Sequence, residues 1–337
     1  MNIYDINGYL DWDRISTIPA SFIFIFGSRG IGKTYGALKY VYEHGIRFIF
    51  TRRQQQEYDI VSRDETSPFK VLNEDLRADV HIRTISKNVS GFYDGDGSIP
   101  IGYMTSLSAV AHIRGMDFSD CEWWIYDEFI PEAHVRPMKE EGQVLLNAYE
   151  TFNRNRELKG RPPLKMVCLA NSNLMANPIF MELGLVTTAE RMMRSNQNYF
   201  LDKDRGLALL NPFDSPIAGE KEETALYKLI NKESEYYKMA IENRFKDLDE
   251  SKPKSRNLKE YVPLLRIGEI TIYKHKSDRT YYVTEHHSGS CDTYTTSELD
   301  RGRCLKKYSW LPSVYLNNKI DFESYICEAL FNKYLFN

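Results

Sequence analysis

The feature that most constrains the fold is a glycine-rich motif near the N-terminus. Residues 27–34 read GSRGIGKT and match G-x-x-x-x-G-K-[ST], the pattern of a phosphate-binding loop. The motif directly follows the apolar segment Phe22–Phe26 and opens a helix-like segment, KTYGALKYVYEH, which Gly45 is placed to end. A strand, a glycine-rich turn and a helix in this order predict a parallel α/β sheet whose first loop binds a nucleotide.

The residue types of the motif suit that chemistry. Glycines let the backbone curl so that its N–H groups point at phosphate oxygens, and the helix N-terminus adds partial positive charge. We expect Lys33 to reach the β- and γ-phosphates and the Thr34 hydroxyl to bind Mg²⁺. The predicted nucleotide-binding residues of the loop are Gly27, Ser28, Arg29, Gly30, Ile31, Gly32, Lys33 and Thr34.

Three more short apolar segments, 46–50, 122–126 and 166–170, carry little charge. Such segments are typical of strands buried on both faces of a parallel sheet. A helix with one apolar face is predicted between the last two, ending near Leu158. The pattern indicates an α/β fold.

Composition excludes several classes of protein. The 337 residues predict about two domains, and 42% hydrophobic residues suffice for a core. With 44 basic and 47 acidic residues the net charge is −3, which argues against a surface coated in positive charge. Five cysteines without a CxxC pair predict neither a zinc site nor a disulfide framework. We expect no signal peptide and no membrane span, and hence an intracellular protein.

Two acids follow the apolar segment 122–126. We expect Asp127 to bind Mg²⁺ as a Walker-B carboxylate and Glu128 to polarise the attacking water as a general base. The alternative is a pair of surface acids at a strand end. GTPases have D-x-x-G here, whereas this chain reads DEFI, so ATP hydrolysis is favoured over a GTP switch.

Two other polar positions have open alternatives. Asn171, at the end of the segment 166–170, could sense the γ-phosphate or belong to an ordinary polar turn. Arg154 and Arg156, near the end of the predicted helix, could stabilise transition-state charge, in cis or from a neighbouring subunit. They could equally serve only the helix dipole.

The pattern along the chain predicts three regions. Residues 1–205 form the nucleotide-binding domain, and the charge-rich residues 206–258 form a helical linker. Residues 259–337 form a C-terminal domain with a β-hairpin around Ser277–Asp278 and a final helix with Asp321 as candidate N-cap.

Together these motifs resemble the DNA-packaging ATPases of tailed bacteriophages, most closely the small ATPases of phi-29-like podophages. The resemblance spans roughly residues 15–200 and thins after about 205. It rests on the P-loop FGSRGIGKT, the pair Arg52-Arg53, the Walker B IYDEFI, and the strings NRNRE at 153–157 and CLANSN at 168–173. Ile113-Arg114-Gly115 is similar to large terminase subunits in general.

The resemblance implies an ASCE-type P-loop sheet, in which one strand separates the Asp-Glu strand from the P-loop strand. It implies an α+β, ribonuclease-H-like C-terminal domain that has lost its cutting carboxylates. Its catalytic residues would be Lys33, Glu128 and, as a trans-acting arginine finger, Arg154; Asn171 would couple hydrolysis to movement. The implied cofactors are ATP and Mg²⁺, the latter on Thr34 and Asp127.

The implied assembly is a homopentameric ring in the host cytoplasm, transiently at the portal vertex of a procapsid. It drives double-stranded DNA inward, and phi-29-like members sit on a packaging RNA. The leading hypothesis is therefore an ATP-driven DNA translocase. Its rival is a P-loop ATPase that acts as a conformational switch or assembly factor, which the net charge of −3 favours.

The C-terminal domain bears on both hypotheses. Its densest basic segment, RGRCLKK at 301–307, is a candidate DNA-contacting strip or a solvated surface loop. Its strand-like segments offer only Glu269 and Glu285, whereas a two-metal nuclease needs three or four converging carboxylates. We expect no nuclease activity.

Overall fold

The computed structural model describes residues 2–132, 135, 138–171, 174–213, 215–241 and 253–336. The chain divides into two compact units, Met1–Asp247 and Leu248–Asn337. The predicted boundary at 205 separates two paired strands of one sheet, and residues 206–241 of the predicted linker are grouped with the first unit. The charge-rich composition after residue 212 concealed this, because the preceding apolar strand is only four residues long.

The first unit contains a nine-stranded sheet with the order β3-β4-β5-β2-β6-β7-β1-β9-β8. Neighbouring strands from β5 to β9 in this order are parallel, and antiparallel strands lie at both edges. The strands are β1 Phe22–Gly27, β2 Phe48–Arg52, β3 Val80–Ser86, β4 Val89–Asp94, β5 Gly102–Ser106, β6 Trp123–Asp127, β7 Lys165–Asn171, β8 Tyr199–Asp202 and β9 Leu207–Leu210.

The strand order places the predicted site residues at one edge of the sheet. β7 lies between β1, which leads into the glycine-rich loop, and β6, which ends in Asp127. The predicted ASCE order is therefore confirmed. Gly27 is in register with Asn171, and Asp127 with Leu169, so the carboxyl ends of all three strands meet. Ligands of open parallel sheets bind at such an edge.

The helices of the first unit are α1 Trp12–Ser16, α2 Lys33–Glu43, α3 Gln55–Val61, α4 Lys70–Leu76, α5 Glu141–Asn153, α6 Pro178–Glu182, α7 Val186–Arg194, α8 Ala218–Glu222, α9 Ala225–Leu229 and α10 Glu235–Ala240. Short 3₁₀ helices span Asp64–Thr66, Leu107–His112 and Arg156–Lys159. None of the described helices has the length and apolarity needed to cross a membrane.

Two helix predictions have different outcomes. α2 follows the glycine-rich loop as expected, and Gly45 with φ +63° stands just past its end. The helix expected to reach Leu158 ends at Asn153, because Arg154 and Asn155 adopt left-handed φ angles of 47° and 53°. Arg154 thus follows the helix rather than lying within its last turn.

The core of the sheet is aromatic and aliphatic. The inner residues of β1, Ile23 to Phe26, are fully buried, as the uninterrupted apolar run predicts. An ion pair is also buried: Arg53 is 2% exposed and donates to both carboxylate oxygens of Glu141, at 2.6 and 3.0 Å. Removing either partner would leave an unpaired buried charge, so this pair holds α5 to the end of β2.

The second unit contains a five-stranded sheet with the order β13-β10-β11-β12-β14. Its strands are β10 Tyr261–Ile267, β11 Ile270–His275, β12 Tyr281–Thr284, β13 Asp292–Tyr294 and β14 Ile320–Phe322, and its helices are α11 Glu298–Lys307, α12 Leu311–Leu316, α13 Tyr325–Leu335 and a 3₁₀ turn, Leu258–Glu260. The predicted hairpin is confirmed by antiparallel pairing of β11 with β12. The C-terminal sheet domain is present, and its ribonuclease-H-like character stays a prediction.

The start of the final helix differs from the prediction. Ser324, not Asp321, caps α13 and accepts a hydrogen bond from the Cys327 N–H. Asp321 lies in β14 and pairs with Lys254 and Arg256 at 2.8 and 2.6 Å. A carboxylate held by two cations in a strand is unavailable as a helix cap.

Candidate nucleotide-binding site

The glycine-rich loop has the backbone that phosphate binding requires. Gly30 and Gly32 have φ angles of +75° and +78°, which residues with a Cβ atom rarely adopt. The Lys33 ammonium donates to the carbonyls of Gly27 and Ser28 at 3.1 and 2.6 Å, so its side chain folds back over the loop. It also donates to Asn171 Oδ1 at 3.2 Å, which joins the predicted sensor residue to the loop.

The pKa of the Lys33 ammonium is strongly shifted. Burial lowers its pKa to about 7, an effect opposed by Asp127 and reinforced by Lys221 and Arg29. A buried amine with a lowered pKa is suited to an anionic ligand, whose charge would favour the ammonium form.

The predicted metal-binding groups are adjacent. Thr34 Oγ1 donates to Asp127 Oδ1 at 2.8 Å, and Asp127 is only 6% exposed. A hydroxyl and a carboxylate are hard oxygen donors of the kind Mg²⁺ takes beside a nucleotide. The two residues therefore fit the cation that the sequence implies.

Glu128 immediately follows the strand end in a strained conformation. Its φ of +55° is left-handed, which is uncommon for a residue other than glycine and costs about 1–3 kcal/mol. Partial removal from water, reinforced by Asp127 and opposed by Arg52, raises the pKa of its carboxyl. After this turn the Glu128 side chain is half exposed, whereas that of the preceding Asp127 is buried.

Sequence reasoning assigned no catalytic or binding role to Arg52, which contacts both acids. At the end of β2 it donates to Asp127 Oδ2 at 2.6 Å and lies 3.2 Å from Glu128 Oε2. Its Nε is buried without an acceptor among the described residues. The sequence signal for such a role was the position of Arg52 at the end of an apolar strand. Its relevance becomes clear only from the strand order, which places β2 beside β6.

An N-terminal segment also contacts the loop from outside. Trp12 Nε1 donates to the Gly32 carbonyl at 3.2 Å, and the Leu10 N–H donates to the Ile31 carbonyl at 3.1 Å. Trp12 is 6% exposed, so its indole is part of the core as well as a loop contact. Sequence reasoning gave this segment no role.

Arg154 and Arg156 have different surroundings. The Arg154 guanidinium donates to the carbonyls of Arg114 and Met116 and lies 3.8 Å from Asp117. None of these described contacts involves the glycine-rich loop. Arg156 is 4% exposed and donates to the Cys121 carbonyl inside the protein.

The basic segment 301–307 forms α11 rather than a loop. Cys304 is buried on its inner face, and Arg303 and Lys307 pair with Asp300 and Asp292. Arg301 donates to the Tyr334 carbonyl. In this helix, Arg301, Arg303 and Lys307 therefore each have a partner within the second unit.

Comparisons with known proteins point to one family of DNA-packaging proteins. The family model of the podovirus DNA encapsidation protein (Gp16) matches residues 3–297. A DNA packaging protein of Bacillus phage B103 is 25% identical over 347 residues, covering 95% of this chain and 96% of the relative.

Two solved structures share the fold over nearly the whole chain. The bacteriophage phi-29 genome packaging motor assembly has a TM-score of 0.67 and 20% identity, covering 96% of this chain and 98% of that chain. The phi-28 gp11 DNA packaging motor has a TM-score of 0.65 and 16% identity, covering 98% and 99%. With a family model that spans most of its length, this chain belongs to the podovirus DNA encapsidation protein (Gp16) family.

Proposed function

We propose that this protein hydrolyses ATP to drive double-stranded DNA into a procapsid. The observation that carries the proposal is the meeting of Lys33, Thr34, Asp127, Glu128 and Asn171 where β1, β6 and β7 end. This set contains a phosphate cradle, metal-binding oxygens and a base, which are the parts that phosphoryl transfer requires. Family membership supplies the DNA-packaging context.

Each residue has one role in the proposed reaction. Lys33 and the loop N–H groups bind the phosphates, and Thr34 with Asp127 would hold Mg²⁺, which neutralises charge on the phosphates when bound. Glu128 accepts the proton of the attacking water. Arg52 pairs with the base and the Mg²⁺-binding acid, so we infer that it must release Glu128 before the carboxylate can act.

Asn171 would sense the γ-phosphate through Lys33, because its side-chain oxygen accepts a hydrogen bond from the Lys33 ammonium. When a nucleotide draws Lys33 toward its phosphates, the loop carbonyls and Asn171 lose that donor. The end of β7 would then respond to nucleotide occupancy.

We further propose the assembly that the resemblance implies. This assembly is a homopentameric ring at the portal of the procapsid. In it, Arg154 is the arginine finger that completes the neighbouring subunit's site. Partial exposure of Arg154, 36% of its side chain, supports this role over Arg156, which is enclosed. A packaging RNA belongs to the same proposal.

An assembly factor that hydrolyses ATP without moving DNA is the second candidate. The net charge of −3 and the local pairing of the α11 cations favour it. A motor needs only weak, releasable DNA contacts, so these observations do not exclude translocation.

The two candidates differ in their response to DNA. The purified protein's ATPase rate should be measured with and without double-stranded DNA over a series of salt concentrations. If the protein is a translocase, DNA should raise its ATPase rate. This stimulation should weaken as the salt concentration rises, because contacts with DNA phosphates release counterions. A rate indifferent to DNA at every salt concentration would favour the assembly factor.

A further inference from the structure

Lys221 contacts the phosphate-binding loop from outside. It lies on α8, in the segment predicted to be a linker, yet its ammonium donates to the Arg29 carbonyl within the loop. The same ammonium donates to the Ala240 carbonyl at the end of α10, at 3.0 Å. Its nitrogen also stands 5.5 Å from the centre of the Tyr227 ring, a cation–π contact.

The contact with Arg29 has a geometric consequence. The described part of the backbone contains no cis peptide bond, so the carbonyl of Arg29 and the N–H of Gly30 point in opposite directions. Holding that carbonyl toward Lys221 turns the Gly30 N–H away from Lys221. Gly30 itself is in the left-handed conformation, where adjacent N–H groups form anion-binding concavities.

Lys221 also adds charge. With Lys33 and Arg29 it makes a third cation at the loop, and both Lys221 and Arg29 act to lower the pKa of Lys33. Burial and Arg29 lower the pKa of Lys221 itself. Arg29 is already paired with Glu132 at 2.7 Å, so Lys221 and Lys33 are the cations at the loop whose charge a bound phosphate would chiefly offset.

We propose that Lys221 is a positioning residue of the nucleotide site, which fixes the Arg29–Gly30 peptide for phosphate binding and favours triphosphate over diphosphate. The preference follows from charge, because ATP carries one more negative charge than ADP. Through Ala240 the same ammonium ties the loop to α10, the last described element before the second unit. Nucleotide binding would therefore alter the contact with α10, which lies in the segment that leads to that unit. This inference rests on the proposed nucleotide binding.

The test compares Lys221→Ala and Lys221→Arg with the wild-type protein. A non-hydrolysable ATP analogue and ADP are titrated separately against each protein, and kcat and KM are measured with ATP. Losing a charge-assisted contact predicts about ten-fold weaker binding of the ATP analogue and a smaller loss for ADP. We expect KM to rise more than kcat falls, and the arginine variant to keep the preference for the ATP analogue.

Lys228→Ala is the matched control, since Lys228 lies on the neighbouring helix α9 and pairs with Glu223 on the surface. It should bind both nucleotides like the wild type. Equal losses for both nucleotides together with a lowered melting temperature would overturn the proposal in favour of a structural role. Unchanged binding in Lys221→Ala would also overturn it. A wild-type protein that binds neither nucleotide would instead refute the proposed function.

Discussion

At the scale of single residues, the site separates two consecutive acids by backbone conformation. Asp127 ends β6, is buried and contacts Thr34, whereas Glu128 adopts a left-handed conformation and is half exposed; both acids also contact Arg52. The strain at Glu128 persists because buried neighbours on both sides fix the chain, which is typical of catalytic positions. Geometry thus supports a metal-binding role for one acid and a base for the other.

Replacing the base tests this assignment. Glu128→Gln should retain ATP binding and lose turnover by roughly a hundred- to ten-thousand-fold, since an amide cannot accept the water's proton. Lys33→Ala should lose both binding and turnover. Single-turnover hydrolysis and equilibrium ATP binding are the measurements.

Glu43→Gln is the control, because Glu43 lies at the far end of α2 and pairs with Lys39. It should hydrolyse ATP at the wild-type rate. Near-normal turnover in Glu128→Gln would remove Glu128 from the mechanism.

At the scale of elements, the contact between α1 and α2 supports the loop. Gly36 lies inside α2, where an added Cβ would come within 2.3 Å of the Trp12 indole. The same indole donates to the Gly32 carbonyl. A glycine that weakens a helix is therefore needed here to admit Trp12, which holds the loop.

Gly36→Ala should lower stability although alanine is the better helix former. Overpacking costs about 1–3 kcal/mol, against a gain in helix propensity of about 1 kcal/mol. We expect a lower melting temperature and a higher KM for ATP, as Trp12 is displaced from Gly32.

Gly219→Ala provides the contrast, because open space surrounds Gly219 in α8. That variant should melt at or slightly above the wild-type temperature. If Gly36→Ala were as stable as the wild type, the Trp12 contact would not support the loop.

The elements also show what the sequence could predict. The four apolar runs each became a strand within two residues of the predicted bounds, because strands buried on both faces must be apolar throughout. The loop and the Asp127–Glu128 pair were found because their chemistry is contained in consecutive residues. Arg52, Trp12 and Lys221 were assigned no such role, since their contacts depend on which elements pack together.

Conformation and tertiary contacts explain where two predicted helix ends differ from the structure. The helix expected to reach Leu158 stops at Asn153 because two consecutive residues adopt left-handed φ angles, and neither is glycine. Asp321 has the residue type of an N-cap, but strand pairing and two cations decide its position. Local propensity cannot anticipate partners that are more than sixty residues away.

At the scale of the whole molecule, an arginine finger acting between subunits makes activity depend on assembly. If Arg154 completes the neighbouring site, the rate per subunit should rise with protein concentration. Arg154→Ala subunits, inactive alone, should recover some turnover when mixed with Lys33→Ala subunits, because each supplies what the other lacks. The measurement is the ATPase rate across mixing ratios.

Arg156→Ala serves for comparison. Its guanidinium is enclosed and donates to the Cys121 carbonyl, so this variant should melt at a lower temperature and give no rescue. Rates strictly proportional to concentration, with no rescue by Arg154→Ala, would show that Arg154 acts within its own subunit or not at all.

The second unit carries the last prediction, that the protein cuts no DNA. Glu269 lies in the turn between β10 and β11, where it accepts a hydrogen bond from the Tyr334 hydroxyl, and Glu285 follows the end of β12. Within the described residues no three His, Cys, Asp or Glu side chains gather as a metal site would require.

Two-metal cleavage needs ions about 4 Å apart, held by several carboxylates. Lys274 and Lys276 at the end of β11 instead place cations near the hairpin, which attract phosphate and repel metal ions. We therefore expect the full-length protein to leave plasmid DNA intact in Mg²⁺ or Mn²⁺ while retarding it on a gel in a salt-sensitive manner. Cleavage that disappears in Glu269→Ala would contradict this prediction and place a working nuclease in the second unit.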